Sequence, residues 1–152
     1  MTKQFVYDYP MTSLAVDILV HDFDKKHILF IKRKNEPFQD MLALPGGYVN
    51  ENEEIEAAAL RELNEETGLN GVLKELCCLT TPNRDTRGRV ISFVYTMGCK
   101  LQYMKDAVAM DDAKSIHIMK VSDIAANANN FAFDHYKAVD KFLFPEYSPF
   151  IH

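Results

Sequence analysis

The sequence has few of the features that mark secreted, fibrous or membrane proteins. Three of its 152 residues are cysteine, an odd number that includes the adjacent Cys77 and Cys78, so a secreted disulfide framework is not expected. Glycine and proline supply six residues each, too few for a fibrous or disordered chain. The apolar segment 14–20 is short and interrupted by Asp17, so we expect neither a membrane span nor a signal peptide. These absences predict free thiols and a cytoplasmic location.

Basic residues are also in deficit. Lysine and arginine total 17 against 22 aspartate and glutamate residues, which gives a formal net charge of −5. General affinity for nucleic acid or for an anionic membrane depends on an excess of positive charge, so we expect neither partner. An anionic ligand would have to be held by a local group of basic side chains.

The residues that are present predict one globular domain over 1–152, since 47% are hydrophobic and 26% are charged. The pattern favours an α/β (α+β) fold in which helices cover both faces of a mixed sheet. A short strand, a Pro-Gly-Gly turn and an extended piece are expected over 41–49. Further strands are expected at 14–21, 27–33, 72–81, 89–100 and 115–120, and helices at about 53–67, ending at Gly68, and at 134–144.

The first of these helices is unusually acidic. Residues 51–66 contain seven glutamates against a single basic residue, Arg61. Glu62 and Glu66 repel each other at i, i+4, and Glu66 also lies at the negative end of the helix dipole. On a helical wheel this pair borders the apolar face that contains Ile55 and Ala59. Such violations of local preference are expected where function imposes them.

Clustered carboxylates that are partly removed from water need a cation. Their hard oxygen ligands suit Mg²⁺ or Mn²⁺, which keep several waters and are commonly completed by substrate phosphates. A solvated acidic helix face is the simpler explanation for a run of glutamates alone. The spacing of the run decides between the two.

The segment from Gly47 to Leu69 reads GYVNENEEIEAAALRELNEETGL. It resembles the Nudix box at every specified position, so the chain is similar to Nudix hydrolases, which cleave nucleoside diphosphates linked to another moiety. The resemblance implies a Nudix-type α/β/α sandwich that uses a divalent metal. It places Gly46 (through its carbonyl), Glu62, Glu65 and Glu66 among the metal ligands. It gives catalytic roles to Glu53, Arg61, Glu62 and Glu66, with Arg61 orienting Glu53 through an ion pair.

Other segments resemble the ADP-ribose pyrophosphatase branch of that family. They are YDYPMTSLAVDILV, IKRKNEPFQDMLALPGGYV, PNRDTRGRVISFVY, DDA and AFDH. The resemblance implies hydrolysis of ADP-ribose to AMP and ribose 5-phosphate, and it implies a homodimer. Arginine forks suit a diphosphate. The expected substrate-binding residues are Arg33, Arg84, Arg87, Arg89 and Gly47.

Several alternatives stay open. The general base is unsettled among Glu53, Asp111 and Asp112, although the two aspartates are also typical of a turn. Asp134 is expected to cap the last helix. A sanitising pyrophosphatase for oxidised nucleoside triphosphates is the rival enzyme, and a Nudix domain that senses ADP-ribose without cleaving it is the rival from another class.

Overall fold

A computed structural model of the protein describes residues 4, 6–146 and 150–151. Its helices are α1 (Ile55–Thr67), α2 (Leu101–Lys105), α3 (Val121–Ile124) and α4 (His135–Leu143), with a 3₁₀ helix at Ala125–Asn130. Its strands are β1 (Ser13–Asp22), β2 (His27–Arg33), β3 (Leu42–Ala43), β4 (Gly46–Tyr48), β5 (Lys74–Leu79), β6 (Val90–Cys99), β7 (Ala113–Lys120) and β8 (Phe150–Ile151). Every strand and both long helices expected from the sequence are present.

Within the described residues these strands form one mixed sheet. Its main order is β3-β2-β1-β6-β5-β8, with β4 added to β1 and β7 added to β2. β1 and β6 run parallel over ten residue pairs, whereas β1 and β2 form the expected antiparallel hairpin. The central strand β1 therefore pairs with β2, β4 and β6, and this pairing fixes the positions of the loops and helices attached to these strands.

Helices pack on both faces of the sheet, as the pattern predicts. Val16 and Ile18 of β1 pack with Leu63 of α1 in one buried cluster. Leu19 packs on the opposite face with Val139 of α4 in a second cluster. Because successive strand residues point to opposite faces, one apolar strand serves both layers. Within the described ranges no helix has the length and apolar character needed to cross a membrane.

Helix α1 ends as expected and begins later than expected. Gly68 adopts the left-handed conformation (φ 72°) and its N–H donates to the Asn64 carbonyl. The helix starts at Ile55, so the prediction that Glu53 and Glu54 lie in its first turn is wrong. The Glu53 carboxylate instead accepts hydrogen bonds from Arg61 and from the Asn50 N–H, and these contacts hold it in the preceding turn.

Helix α4 also starts differently from the expectation. Asp134 occupies the N-cap position, but its carboxylate makes no capping hydrogen bond. The side chain pairs with Arg84, whose Nη2 lies 2.8 Å from its Oδ1. A buried guanidinium competes successfully for this carboxylate because it is positively charged and donates to both carboxylate oxygens, whereas the backbone N–H groups of a cap are neutral.

Candidate active site

One cavity of about 450 Å³ opens beside the C-terminal turn of α1 and the strand β4. Its size is within the range of small-molecule sites. Acidic side chains line one part of it, namely Glu62, Glu65, Glu66, Asp111 and Asp112. Basic side chains line another part, namely Arg33, Arg84 and Arg87. The cavity therefore gathers residues that lie far apart in the sequence.

Glu66 is the most buried of the acidic side chains, with only 4% of the residue exposed. The Gly46 N–H donates to its Oε2 at 2.8 Å. Burial raises the pKa of Glu66 to about 8, and the neighbouring Glu62 carboxylate adds to that effect. Burial also raises the pKa of Glu62. As the wheel predicts, both side chains border the core, and their charged forms need a cation.

Arg61 links the acidic side chains behind the cavity. Its Nη1 lies 2.7 Å from Glu62 Oε1 and 3.2 Å from Glu65 Oε2. Its Nε lies 2.7 Å from Glu53 Oε1, so the ion pair expected from the motif is present. Its Nη2 also donates to the Tyr48 carbonyl at 3.0 Å. One guanidinium thus ties α1 to β4 and to the preceding turn.

Glu53 is poorly suited to accept a proton in this arrangement. Hydrogen bonds from Arg61 and from the Asn50 N–H lower its pKa to about 2. Asp111 and Asp112 lie in a turn, as expected from their sequence, and also line the cavity. Asn35 donates to Asp112 Oδ1 at 3.1 Å, which ties that turn to the loop after β2.

The two glycines before the helix are required by close contacts. A Cβ on Gly46 would collide with the Val16 carbonyl and would lie 2.5 Å from Asp17 Oδ1. A Cβ on Gly47 would collide with the Glu62 carboxylate, whose Oε2 would be 2.7 Å away. The backbone of β4 therefore passes directly against both carboxylates.

These residues fit a divalent cation chemically. The ligands are hard oxygens, and the buried Glu66 carboxylate has no basic side chain bound to it within the described residues. In this conformation Arg61 draws Glu62 and Glu65 together, and the described part of the chain has no group of three acidic, histidine or cysteine side chains gathered closely enough to hold a metal ion. Binding would require Glu62 and Glu65 to exchange Arg61 for the cation.

Arg33 and Arg87 line the cavity, and each guanidinium has only part of its N–H groups bound within the protein. Arg33 donates through Nε to the Pro37 carbonyl, and Arg87 donates through Nε and Nη2 to Asp85. Both guanidiniums lie over the ring of Phe133, at 5.0 and 5.8 Å. The remaining N–H groups of each are held in place and suit a phosphate oxygen.

The other two arginines are used differently. Arg84 lines the cavity, but its side chain is only 3% exposed and donates to Asp134 and, at 2.9 Å, to Ser92 Oγ. Arg89 is not brought to the cavity. Its guanidinium donates to the Thr80 carbonyl at 2.8 Å on the exposed surface.

A model of the NUDIX domain family matches residues 11–142 of the chain. The chain belongs to the Nudix family. It is 38% identical over 144 residues to an ADP-ribose pyrophosphatase of Methanocaldococcus jannaschii, covering 94% of this chain and 79% of that protein. The family and this relative make the chain a Nudix pyrophosphohydrolase.

Two solved structures are similar to the whole fold. One is a bifunctional NMN adenylyltransferase/ADP-ribose pyrophosphatase of Francisella tularensis complexed with AMP and a manganese ion, at 31% identity and a TM-score of 0.76. That match covers 92% of this chain but only 43% of the Francisella protein. The other is the Nudix domain of Shewanella oneidensis NrtR complexed with ADP-ribose, at 25% identity and a TM-score of 0.78, covering 90% and 92% of the two chains.

Some residues of this Nudix site were not among those expected from the sequence. Asp17, Ser92, Phe133 and His135 all line the cavity. Asp17 could have been identified from the sequence, since a charged residue within an otherwise apolar strand is unusual and indicates a specific role. The remaining three come from segments that only the tertiary fold brings together.

Proposed function

We propose that this Nudix enzyme hydrolyses ADP-ribose to AMP and ribose 5-phosphate with Mg²⁺ or Mn²⁺. The observation that carries the proposal is the joint lining of one cavity by the carboxylates Glu62, Glu65 and Glu66 and by the guanidiniums of Arg33 and Arg87. A diphosphate carries the negative charge that both sets need, the arginines directly and the carboxylates through a shared cation. The ADP-ribose pyrophosphatase relatives support the choice of substrate.

The side chains divide the work according to their contacts. Glu62, Glu65, Glu66 and the Gly46 carbonyl would hold the metal, which supplies charge neutralisation and a more acidic bound water. Arg33 and Arg87 would bind and orient the diphosphate, with the backbone of Gly47 close to it. Arg61 keeps Glu53 in place from behind. Catalysis in this scheme comes mainly from positioning and electrostatic stabilisation.

A substrate comparison tests the choice of ADP-ribose. The purified protein is assayed with ADP-ribose, NADH, diadenosine polyphosphates and oxidised dGTP, each with Mg²⁺ and with Mn²⁺. We expect the highest kcat/KM for ADP-ribose and the release of AMP and ribose 5-phosphate. A clear preference for oxidised dGTP would instead identify the sanitising triphosphate pyrophosphatase.

Replacing one carboxylate tests the metal assignment. Glu66→Gln removes a charge from a buried, repulsive group and should abolish most metal-dependent turnover while the fold is kept. Glu56→Gln on the exposed face of the same helix is the matched control and should retain turnover. Wild-type turnover in Glu66→Gln would contradict the assignment.

A second candidate function is ADP-ribose binding without hydrolysis, favoured by the likeness to the Nudix domain of NrtR in its ADP-ribose complex. Isothermal titration with ADP-ribose, alongside the turnover assay, separates the two functions. Tight binding with no product in either metal would support the sensor. We expect product, because the motif is complete and keeps Glu62, Glu65 and Glu66.

The assembly and location of the protein are also proposals. By analogy with the family we propose a homodimer, a single domain over 1–152, a cytoplasmic location and no nucleic-acid partner. Light scattering during gel filtration at micromolar concentration tests the dimer. A mass of 17.4 kDa, that of one chain, would contradict it.

A further inference from the structure

Asp17 lies at the buried end of the cavity on the central strand β1. Its side chain is only 8% exposed, yet the residue lines the cavity. It pairs with Gly46 across the sheet, and a Cβ on that glycine would be 2.5 Å from its Oδ1. It also lies near enough to Glu66 to raise the pKa of that carboxyl. The Asp17 carboxylate is therefore next to two of the residues that would hold the metal.

One oxygen of Asp17 faces His135. The Leu44 N–H donates to His135 Nδ1 at 3.1 Å, so this nitrogen is the acceptor and Nε2 carries the proton of the neutral ring. Burial lowers the pKa of His135, which keeps the ring neutral. Nε2 lies 3.5 Å from Asp17 Oδ1. The imidazole thus offers this carboxylate one long contact and no positive charge.

The other oxygen has no partner. Among the residues that the structure describes, Asp17 Oδ2 is the buried side-chain nitrogen or oxygen atom without a hydrogen bond. Arg84, which lines the same cavity, is already bound to Asp134 and Ser92. An unpaired acceptor in such a place is costly and calls for an explanation. A ligand that brings a hydrogen-bond donor supplies one.

We propose that Asp17 Oδ2 accepts a hydrogen bond from a hydroxyl of the terminal ribose, the one that ADP lacks, and makes the site selective for nucleoside diphosphate sugars. This inference rests on the proposed function, since it places the metal at Glu66 and Gly46 and the diphosphate on that metal. A ribose attached directly to that diphosphate is the nearest donor-bearing group. A carboxylate oxygen accepts a hydrogen bond from a hydroxyl and offers no donor to a terminal phosphate, so the same atom disfavours ADP and nucleoside triphosphates.

Asp17→Asn tests the proposal with little change in shape. The amide can still accept from His135 through one oxygen but removes the charge and the second acceptor. Asp22→Asn is the matched control, because Asp22 is a 5% exposed aspartate on the same strand that also contacts a histidine, His27 at 2.8 Å. It does not line the cavity.

Four substrates are compared for each variant: ADP-ribose, ADP, an ADP-ribose analogue without the terminal ribose hydroxyls, and the analogue with inosine in place of adenosine. We expect Asp17→Asn to lower kcat/KM for ADP-ribose by about 10- to 100-fold, the range for losing one hydrogen bond to a charged group. Its kcat/KM for the deoxygenated analogue should stay within about 2-fold of wild type, and that for ADP should stay equal or rise. Asp22→Asn should leave the ratios among substrates unchanged.

Two results would overturn the proposal. Equal loss for all four substrates would show that Asp17 only supports the fold. The second result has two parts: the wild-type enzyme has a lower kcat/KM for the inosine analogue than for ADP-ribose, and Asp17→Asn causes no further loss with that analogue. Together they would show that the carboxylate binds the amino group of adenine instead of the ribose. The wild-type ratio of ADP-ribose to its deoxygenated analogue gives a test that does not depend on any variant folding.

Failure of the proposed function has a different signature. If no substrate is hydrolysed, titration calorimetry of the same ligands replaces kinetics. Weaker binding of ADP-ribose, but not of ADP, to Asp17→Asn would still support the ribose contact. Unchanged binding of ADP-ribose would overturn it.

Discussion

Arg61 holds Glu53 through both carboxylate oxygens, with Nε 2.7 Å from Oε1 and Nη2 2.9 Å from Oε2. The third guanidinium nitrogen, Nη1, reaches Glu62 on the cavity side. The planar fork of arginine makes both contacts at once, which a lysine ammonium does not. The pair therefore connects the turn before α1 to a side chain in the active site.

Arg61→Lys should consequently lower kcat/KM for ADP-ribose by about 10- to 100-fold, as expected when charge-assisted bonds to a positioned carboxylate are lost. Steady-state kinetics with Mg²⁺ measures this change. The control is Lys114→Ala, which removes a surface ion pair to Asp40 whose partners are both more than half exposed. If Arg61→Lys behaves like that control, the bridge has no part in catalysis.

Gly47→Ala should displace the Glu62 carboxylate without unfolding the protein. The new methyl group would need the space of that carboxylate, which is the free end of a flexible side chain. We expect near-normal thermal stability together with weaker Mg²⁺ activation, seen as a higher metal concentration at half-maximal rate. Gly98→Ala on β6 is the control, since its added Cβ would be 3.1 Å from His21 and outside the cavity. Normal metal activation in Gly47→Ala would count against Glu62 as a ligand.

The contribution of Glu66 to the stability of the metal-free protein should fall as the pH rises. The pKa of Glu66 is about 8 in the fold against about 4.5 in the unfolded chain, so between these values the folded state binds more protons. Glu66 therefore costs stability progressively from about pH 4.5 to pH 8. Urea unfolding in EDTA at pH 5 and pH 8 measures the loss. Glu66→Gln should reduce it, and an identical pH dependence in this variant would contradict the raised pKa.

Variants of Arg84 and Arg87 should distinguish a role in stability from a role in substrate binding. Arg84→Ala leaves the buried Asp134 carboxylate without its cation and should cost about 3–5 kcal/mol of unfolding free energy. Arg87→Lys keeps a positive charge beside the Asp85 carboxylate, which is 3% exposed, so it should cost less unfolding free energy than Arg84→Ala while raising KM for ADP-ribose. Urea unfolding and steady-state kinetics on both variants decide this. A stable Arg84→Ala protein with a raised KM would give Arg84 the binding role.

Much of the fold was predictable because it follows from local pattern. Alternating apolar runs located β1, β2 and β6, and Gly68 located the end of α1. The start of α1 was missed because Glu53 bonds to Arg61, eight residues later, instead of remaining in the first turn. The predicted capping hydrogen bond of Asp134 was wrong for a similar reason, since Arg84 lies 50 residues away in the chain.

The candidate site was likewise only partly predictable from local pattern. The acidic residues lie on one helix turn, so spacing alone brought Glu62 and Glu66 together. Arg87 and Arg89 lie in the same loop before β6, so the local sequence does not distinguish them. The tertiary fold places Arg87 at the cavity and leaves Arg89 outside it. The contacts of Asp17 could not be predicted from local pattern, because its neighbours His135 and Gly46 lie far from it in the sequence.

The most direct test of the account is a crystal structure of the protein with Mg²⁺ and a non-hydrolysable ADP-ribose analogue. The account predicts magnesium bound by Glu62, Glu65, Glu66 and the Gly46 carbonyl, with the diphosphate between that metal and the guanidiniums of Arg33 and Arg87. Magnesium bound elsewhere, with these carboxylates still paired to Arg61 and the nucleotide outside the cavity, would contradict it.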